Sequence, residues 1–364
     1  MTFNNLLALL GGLALFLYGM HMMSAGLEQA AGDRMKAILE KLTSNPFLGV
    51  IVGAVITAII QSSSATTVMV VGFVNSQLMT LNQAVWIIMG ANIGTTITGQ
   101  LIALDASKIA PLVAILGVVM VTFMKNKKVN AFGEILAGLG ILFIGMDMMS
   151  TAMMPLRDAP AFINLMTKFS NPIVGILAGA GFTALIQSSS ASVGILQALA
   201  ASGLIGFNSA VFVLFGQNIG TCITAILAAI GTGRSAKRTT VIHLLFNIIG
   251  TIIFTTVCLT LPLSDFVAAW TPGNAPRQIA NMHTLFNLAT SFLLIPFGNQ
   301  LASLAVKILP EKEAEKQKQK HLKYLRSWDA GLDPRIGGAA IHMEEVGKEI
   351  RRMLEMAKEN VDES

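Results

Sequence analysis

Seven consecutive small or polar residues, Gln61-Ser62-Ser63-Ser64-Ala65-Thr66-Thr67, sit in the middle of a long apolar stretch. Serine and threonine hydroxyls donate and accept hydrogen bonds and rotate to suit a ligand. Where a chain turns at such a run and starts a helix, the free N–H groups and the helix dipole form an anion site. The same hydroxyls, with amide oxygens and backbone carbonyls, are the hard neutral oxygens that a Na+ needs. Ser62, Ser63, Ser64, Thr66 and Thr67 are therefore candidate anion ligands. Gln61 is a candidate cation ligand.

The run occurs twice. It returns as Gln187-Ser188-Ser189-Ser190-Ala191-Ser192, an offset of 126 residues from 61 to 187. Asn92-Ile93-Gly94-Thr95 returns as Asn218-Ile219-Gly220-Thr221, and Asn45-Pro46 as Asn171-Pro172, at the same offset. Residues 45–104 laid on 171–230 agree at 27 of 60 positions without a gap, far beyond chance. Upstream, Gly19-Met20 and Met22-Met23-Ser24 match Gly145-Met146 and Met148-Met149-Ser150. This is an internal duplication, and repeats have to be found before the fold is read. It adds Ser188, Ser189, Ser190 and Ser192 to the anion candidates. It adds Gln187, Asn92, Thr95, Asn218 and Thr221 to the cation candidates. A single serine at membrane depth is usually glue between helices. A run duplicated in register with a second polar motif is better read as two half-sites.

Neither 45–104 nor 171–230 holds an Asp, Glu, Lys or Arg. The chain is 53% hydrophobic and 12% charged, with mean hydropathy +0.66. Soluble proteins carry about 25% charged residues, so the composition is that of an all-α integral membrane protein. Polar groups at membrane depth survive only inside protein or beside water. Duplicated, interrupted apolar segments with polar centres point to a secondary transporter.

The elements follow from this. Leu6 to about Ser24 is a first span. Residues 27–43 are an interfacial amphipathic helix. Asn45-Pro46 is an N-cap followed by a helix-starting proline. Pro46 to Ile60 is about 22 Å long, too short to cross. We therefore expect 46–80 to be a re-entrant hairpin with the Gln-Ser-Ser-Ser run at its tip. Gln83 to Leu104 is a span broken near Gly90–Gly94, and Ile109 to Met124 crosses back. Gly133 to Met149, an interfacial piece from Arg157 to Phe169, a hairpin 172–204 and a broken span 209–230 repeat the pattern. The final spans are 239–261 and 279–306. About seven full spans and two hairpins result. Residues 1–306 form the transport domain, with repeats at about 12–104 and 138–230. Residues 307–364 form a charged helical tail, which holds 24 of the 45 charged residues.

Basic clusters at Lys125, Lys127 and Lys128, at Arg234, Lys237 and Arg238, and from Lys307 to Arg326 mark the cytoplasmic side. Counting spans between them inverts the second repeat relative to the first. It leaves the N-terminus outside and the tail inside. The two cysteines, Cys222 and Cys258, pack as small hydrophobes. Met343, Val346, Ile350, Met353, Leu354 and Ala357 form an apolar stripe that needs a docking partner.

The twin runs resemble the paired QSSS signatures of the sodium/phosphate cotransporter family, and the resemblance covers roughly residues 10–306. It implies Na+-coupled symport of inorganic phosphate across the plasma membrane by alternating access, and no enzyme activity. It implies that phosphate lies on Ser62, Ser63, Ser64, Thr66, Thr67, Ser188, Ser189, Ser190 and Ser192. It implies no cofactor, and that sodium, the coupling ion, lies on Gln61, Asn92, Thr95, Gln187, Asn218 and Thr221. Some animal members carry an acid shortly after the first QSSS, where this chain has Ala65. That difference bears on the Na+ count and the net charge moved. The tail from His321 resembles the start of a PhoU-like helical domain. Expected partners are phosphate, Na+, the bilayer, a second copy of the chain and a PhoU-like regulatory contact, with no nucleic acid. Two readings compete: another tetrahedral oxyanion such as sulfate or arsenate, or a membrane phosphate sensor.

A second echo, His243-x-x-Phe246-Asn247 and His283-x-x-Phe286-Asn287, is read as helix packing and hydrogen bonding. Asp147, whose repeat mate is His21, is read as a residue at the membrane edge.

Overall fold

A computed structural model describes residues 2–31, 45–76, 78–104, 108–156, 159, 168–310, 350–351 and 354. Among these, all regular structure is helical. The chain divides into two compact units, Met1–Leu309 and Pro310–Ser364. In the second unit Ile350 and Leu354 are exposed. The rest of the apolar stripe, the PhoU-like start, residues 32–43 of the first interfacial helix and nearly all of the second lie outside the described residues.

The duplication reappears as matched helices. α1 is Phe3–Ala31, α2 Pro46–Ile60, α3 Ser63–Asn75, α4 Leu81–Gly94 and α5 Thr96–Ile102. α6 is Ala110–Phe123 and α7 Lys127–Met153. Then α8 Pro172–Ile186, α9 Ser189–Ala201, α10 Phe207–Gly220 and α11 Cys222–Ala228 repeat α2 to α5, with every boundary displaced by 126 residues. α12 Arg234–Thr260, α13 Leu263–Ala268, α14 Ala275–Leu294 and α15 Gly298–Ile308 complete the first unit.

Glycines set the packing. A methyl added at Gly12 would meet the Gly145 carbonyl at 2.8 Å, and one at Gly19 the Gly138 carbonyl at 2.6 Å. Gly12 and Gly138 are repeat mates, as are Gly19 and Gly145. The contacts are thus reciprocal, and their order makes α1 and α7 antiparallel. α2 and α4 instead run parallel: Gly53 abuts Ile87, and Gly94 abuts Ala54. α8 and α10 repeat this with Gly179 on Val213 and Gly220 on Ala180. Small residues let helix backbones approach where lipid gives no hydrophobic drive.

Six helical segments are long and apolar enough to cross a membrane: Phe3–Leu27, Leu81–Ile102, Lys127–Leu156, Phe207–Ala228, Arg234–Thr260 and Ala275–Ile308. Where about seven full spans are expected, six segments among the described residues have that length. The difference is α6, whose 14 residues reach about 21 Å at the helical rise, short of the ~30 Å hydrocarbon core. The break expected near Gly90–Gly94 lies just past them: α4 runs to Gly94 and α5 starts at Thr96, and the glycines themselves serve as contact points. An added methyl on Gly90 would lie 2.0 Å from the Val50 carbonyl. The interruption falls at Thr95, and even there φ −63° and ψ −23° stay near helical values. The last span bends at a 3-10 turn, Ile295–Phe297, where Pro296 cannot continue the helix.

Gly90→Ala is therefore expected to lower thermal stability by about 1–3 kcal/mol through overpacking. Gly72→Ala, with nothing within 4 Å of the added methyl, is expected to leave it unchanged or raised. Melting of the detergent-solubilised protein checks the pair.

Candidate functional site

Each Gln-Ser-Ser-Ser run sits where two short helices meet tip to tip. α2 ends at Gln61 with φ 58° and ψ 24°, and α8 ends at Gln187 with φ 60° and ψ 20°. Among the described residues these are the only non-glycine positions with positive φ. Left-handed geometry at a residue with a side chain costs energy and clusters at functional sites. Ser62 and Ser188 then cap the second arms, their Oγ atoms accepting from Ala65 N at 3.1 Å and Ala191 N at 3.2 Å. The N–H groups of Ser63, Ser64, Ser189 and Ser190 lie in the first turns of α3 and α9, where helices leave donors for a ligand. The outer ends are capped alike, Asn45 and Asn171 accepting from the next backbone N–H groups.

Threonines of α4–α5 join the two tips. Ser63 Oγ donates to Thr95 Oγ1 at 3.5 Å, and Thr95 Oγ1 lies 3.4 Å from Ser189 Oγ. One residue thus touches both runs. Thr98 repeats the arrangement a turn away: it donates to Gln61 Oε1 at 2.7 Å and accepts from Ser190 Oγ at 3.4 Å. Gln61 Nε2 donates to the Ala58 carbonyl. Thr66 accepts from Thr57 at 2.9 Å and donates to the Ser62 carbonyl. Ser64 is half-buried, and Thr67 is buried with its hydroxyl unpaired.

The second repeat does not mirror these bonds. Gln187 is exposed, whereas Gln61 is 4% exposed. Thr221 and Thr224, mates of Thr95 and Thr98, donate to the carbonyls of Gln217 and Thr221 in their own helix. Thr183 and Ser192, mates of Thr57 and Thr66, are buried with unpaired hydroxyls. Hydrogen bonds through Thr95 and Thr98 therefore link Gln61, Ser63, Ser189 and Ser190; among the described residues Gln187 and Thr221 do not enter that network. The tips are related by sequence and differ in state.

Asn92 and Asn218 are each held at two points. Asn92 Nδ2 donates to the Ile88 carbonyl at 2.9 Å, and its Oδ1 lies 3.4 Å from His243 Nε2. Asn218 Nδ2 donates to the Leu214 carbonyl at 3.3 Å, with Oδ1 3.1 Å from His283 Nε2. The hydrogen-bonding role read for both histidines is what the structure shows. Thr98 and the two His–Asn pairs are what motif reading missed. Thr98 and Thr224 are matched positions of the duplication, and that was the available signal. Asp147 is exposed and lines a cavity of about 390 Å³ with Ser150, Asn274 and Pro276. Among the described residues no cluster of His, Cys, Asp and Glu offers a metal site.

The profile of the Na+/Pi-cotransporter family matches residues 15–151 and 157–264. An uncharacterised Bacillus subtilis protein, YqeW, is 33% identical over 302 residues, 82% of this chain and 96% of its own length. YjbB of Salmonella typhimurium, provisionally named an inorganic phosphate export protein, is 27% identical over 97% of this chain. The chain spans 65% of that relative's length. Human sodium-dependent phosphate transport protein 2B is 40% identical over 103 residues, 28% of this chain and 15% of its own. No solved structure matches.

Proposed function

The chain belongs to the Na+/Pi-cotransporter family, and we propose that it carries inorganic phosphate across the membrane together with Na+ by alternating access. It is a multi-pass membrane protein with six apolar helices of spanning length. The observation that carries the reading is Thr95 held between Ser63 and Ser189. Two half-sites from two repeats converge there on hydroxyls, with helix N-termini behind them. The reciprocal, antiparallel contacts of α1 and α7 support inverted repeats, and the short α2–α3 and α8–α9 pairs support re-entrant hairpins. Phosphate lies on the serines and threonines of both runs. Na+ lies on the amide and hydroxyl oxygens of Gln61, Asn92, Thr95, Gln187, Asn218 and Thr221. Residues 1–306 are the transport unit, and 307–364 form a cytoplasmic tail. The names of the animal relatives support sodium as the coupling ion.

Proteoliposomes holding the purified chain are expected to accumulate phosphate under an inward Na+ gradient. Initial rates should exceed those under H+ or K+ gradients by about tenfold or more, a coupling of ordinary size. Uptake driven equally by a pH gradient alone would overturn the sodium reading. Unlabelled sulfate and arsenate as competitors define the oxyanion. A second reading, efflux, is favoured by the provisional export name of the YjbB relative. Release of preloaded phosphate into Na+-free buffer, without uptake under the inward gradient, would replace symport by export.

A further inference from the structure

We infer that His243 and His283 are positioning residues, each orienting one candidate sodium ligand, Asn92 and Asn218. The inference rests on the reading of those asparagines as ligands. Each amide is fixed in the same way. Its nitrogen is committed to the carbonyl four residues back, Ile88 or Leu214. Its oxygen must therefore be the group that faces the imidazole, so His Nε2–H donates to it. An amide oxygen carries two lone pairs. The histidine takes one, and the other remains for a cation. Asn92 and Thr95, and likewise Asn218 and Thr221, lie three residues apart and so share a helix face. For Asn92 that face carries Thr95, the hydroxyl that joins the two tips; for Asn218 it carries Thr221, the matched position of the second repeat.

Three further observations separate this from ordinary packing. First, the arrangement occurs twice. Asn92 and Asn218 are related by the offset of 126, and the histidines by the separate echo of α12 and α14. Second, the histidine backbones are themselves held alike: Asn247 Nδ2 donates to the His243 carbonyl at 3.0 Å and Asn287 Nδ2 to the His283 carbonyl at 2.9 Å. Third, both rings are buried, 1% and 2% exposed, yet both Nδ1 atoms lack a partner among the described residues. A histidine present only to be satisfied in a core would be paired at both nitrogens. Among the described residues the bond to asparagine is the one polar contact each ring makes. α12 and α14 also reach the opposite repeat, Thr251 donating to the Phe215 carbonyl and Ser291 to that of Met89. Met89 and Phe215 are repeat mates, so each helix contacts both halves of the site.

The test uses the full chain in proteoliposomes and reads two numbers: the Na+ concentration giving half-maximal uptake, and the phosphate KM at saturating Na+. His243→Ala and His283→Ala are expected to raise the first by about tenfold, the usual loss when the residue behind a cation ligand is removed. The second should stay within about twofold, because binding at saturating Na+ hides a weakened cation site. His243→Gln and His283→Gln keep a donor and should recover most of the affinity. Unchanged Na+ dependence in the alanine variants, or loss of maximal rate alone without rescue by glutamine, overturns the positioning role. Where alanine prevents folding, His→Leu carries the same expectation at closer volume. Asn92→Ala and Asn218→Ala separate the two ideas. If they shift the Na+ dependence and the histidine variants do not, the positioning inference alone fails. If they do not shift it, the sodium assignment itself fails.

Discussion

Ser63→Ala and Ser189→Ala are each expected to cut phosphate transport by about tenfold or more, while Ser303→Ala transports normally. Ser63 and Ser189 approach Thr95 Oγ1 from opposite repeats, at 3.5 and 3.4 Å. Both are buried, at 2% and 7% exposure. Removing one hydroxyl leaves its partner short of a hydrogen bond and deletes a donor from one half-site. An unpaired buried group costs about 1–3 kcal/mol, and 1.4 kcal/mol is tenfold. Ser303 Oγ donates to the Asn299 carbonyl on an exposed turn of α15 and touches neither tip. Thr95→Val removes both contacts at once. It should therefore cost about as much as the double variant Ser63→Ala/Ser189→Ala, because residues in one network do not add. Uptake by folded, purified variants decides the matter. Normal rates in both serine variants would make the tips glue between helices rather than a site.

Much of this was legible because the duplication wrote it twice. Asn45-Pro46 marks a helix start, and the structure puts the caps there. The helix boundaries of the two halves then follow at one offset. Glycine was harder to read. Gly90 and Gly94 look like helix breakers, yet they are points where one backbone rests on another, which only a packed partner reveals. α6 satisfies composition and fails on length. Contacts across the repeats were the least visible. Thr95 and Ser189 stand 94 positions apart, and nothing local in the chain says they meet. The His–Asn pairs join two echoes with different offsets, 126 and 40, so neither echo alone predicts them. The unequal state of the two tips cannot be read from near-identical motifs at all, because the same residues serve both states.

That inequality leads to a second expected result. In a chain lacking Cys222 and Cys258, cysteine at position 187 should react with a water-borne thiol reagent at least about tenfold faster than cysteine at 61, an opening difference of about 1.4 kcal/mol. Gln61 is closed in by Thr98 and by its own Ala58 carbonyl. The second arms are covered alike, α3 by α11 and α12 and α9 by α5 and α14, so the difference lies at the glutamines. Gln187 is exposed, and Thr224, the mate of Thr98, donates to its own helix instead. α1 packs on α2, whereas α7 packs on α9, so the second tip is also supported differently. Two equivalent sequences in two arrangements of comparable packing are what alternating access requires. The opposite arrangement would then close Gln187 on Thr224, with Ser64 donating to Thr224, and release Thr98 from Gln61 and Ser190. Na+ and phosphate together should change the ratio of the two rates, because a ligand that binds one arrangement better shifts the population toward it. Equal rates at both positions, unaffected by Na+ and phosphate, would mean that the asymmetry is not a transport state.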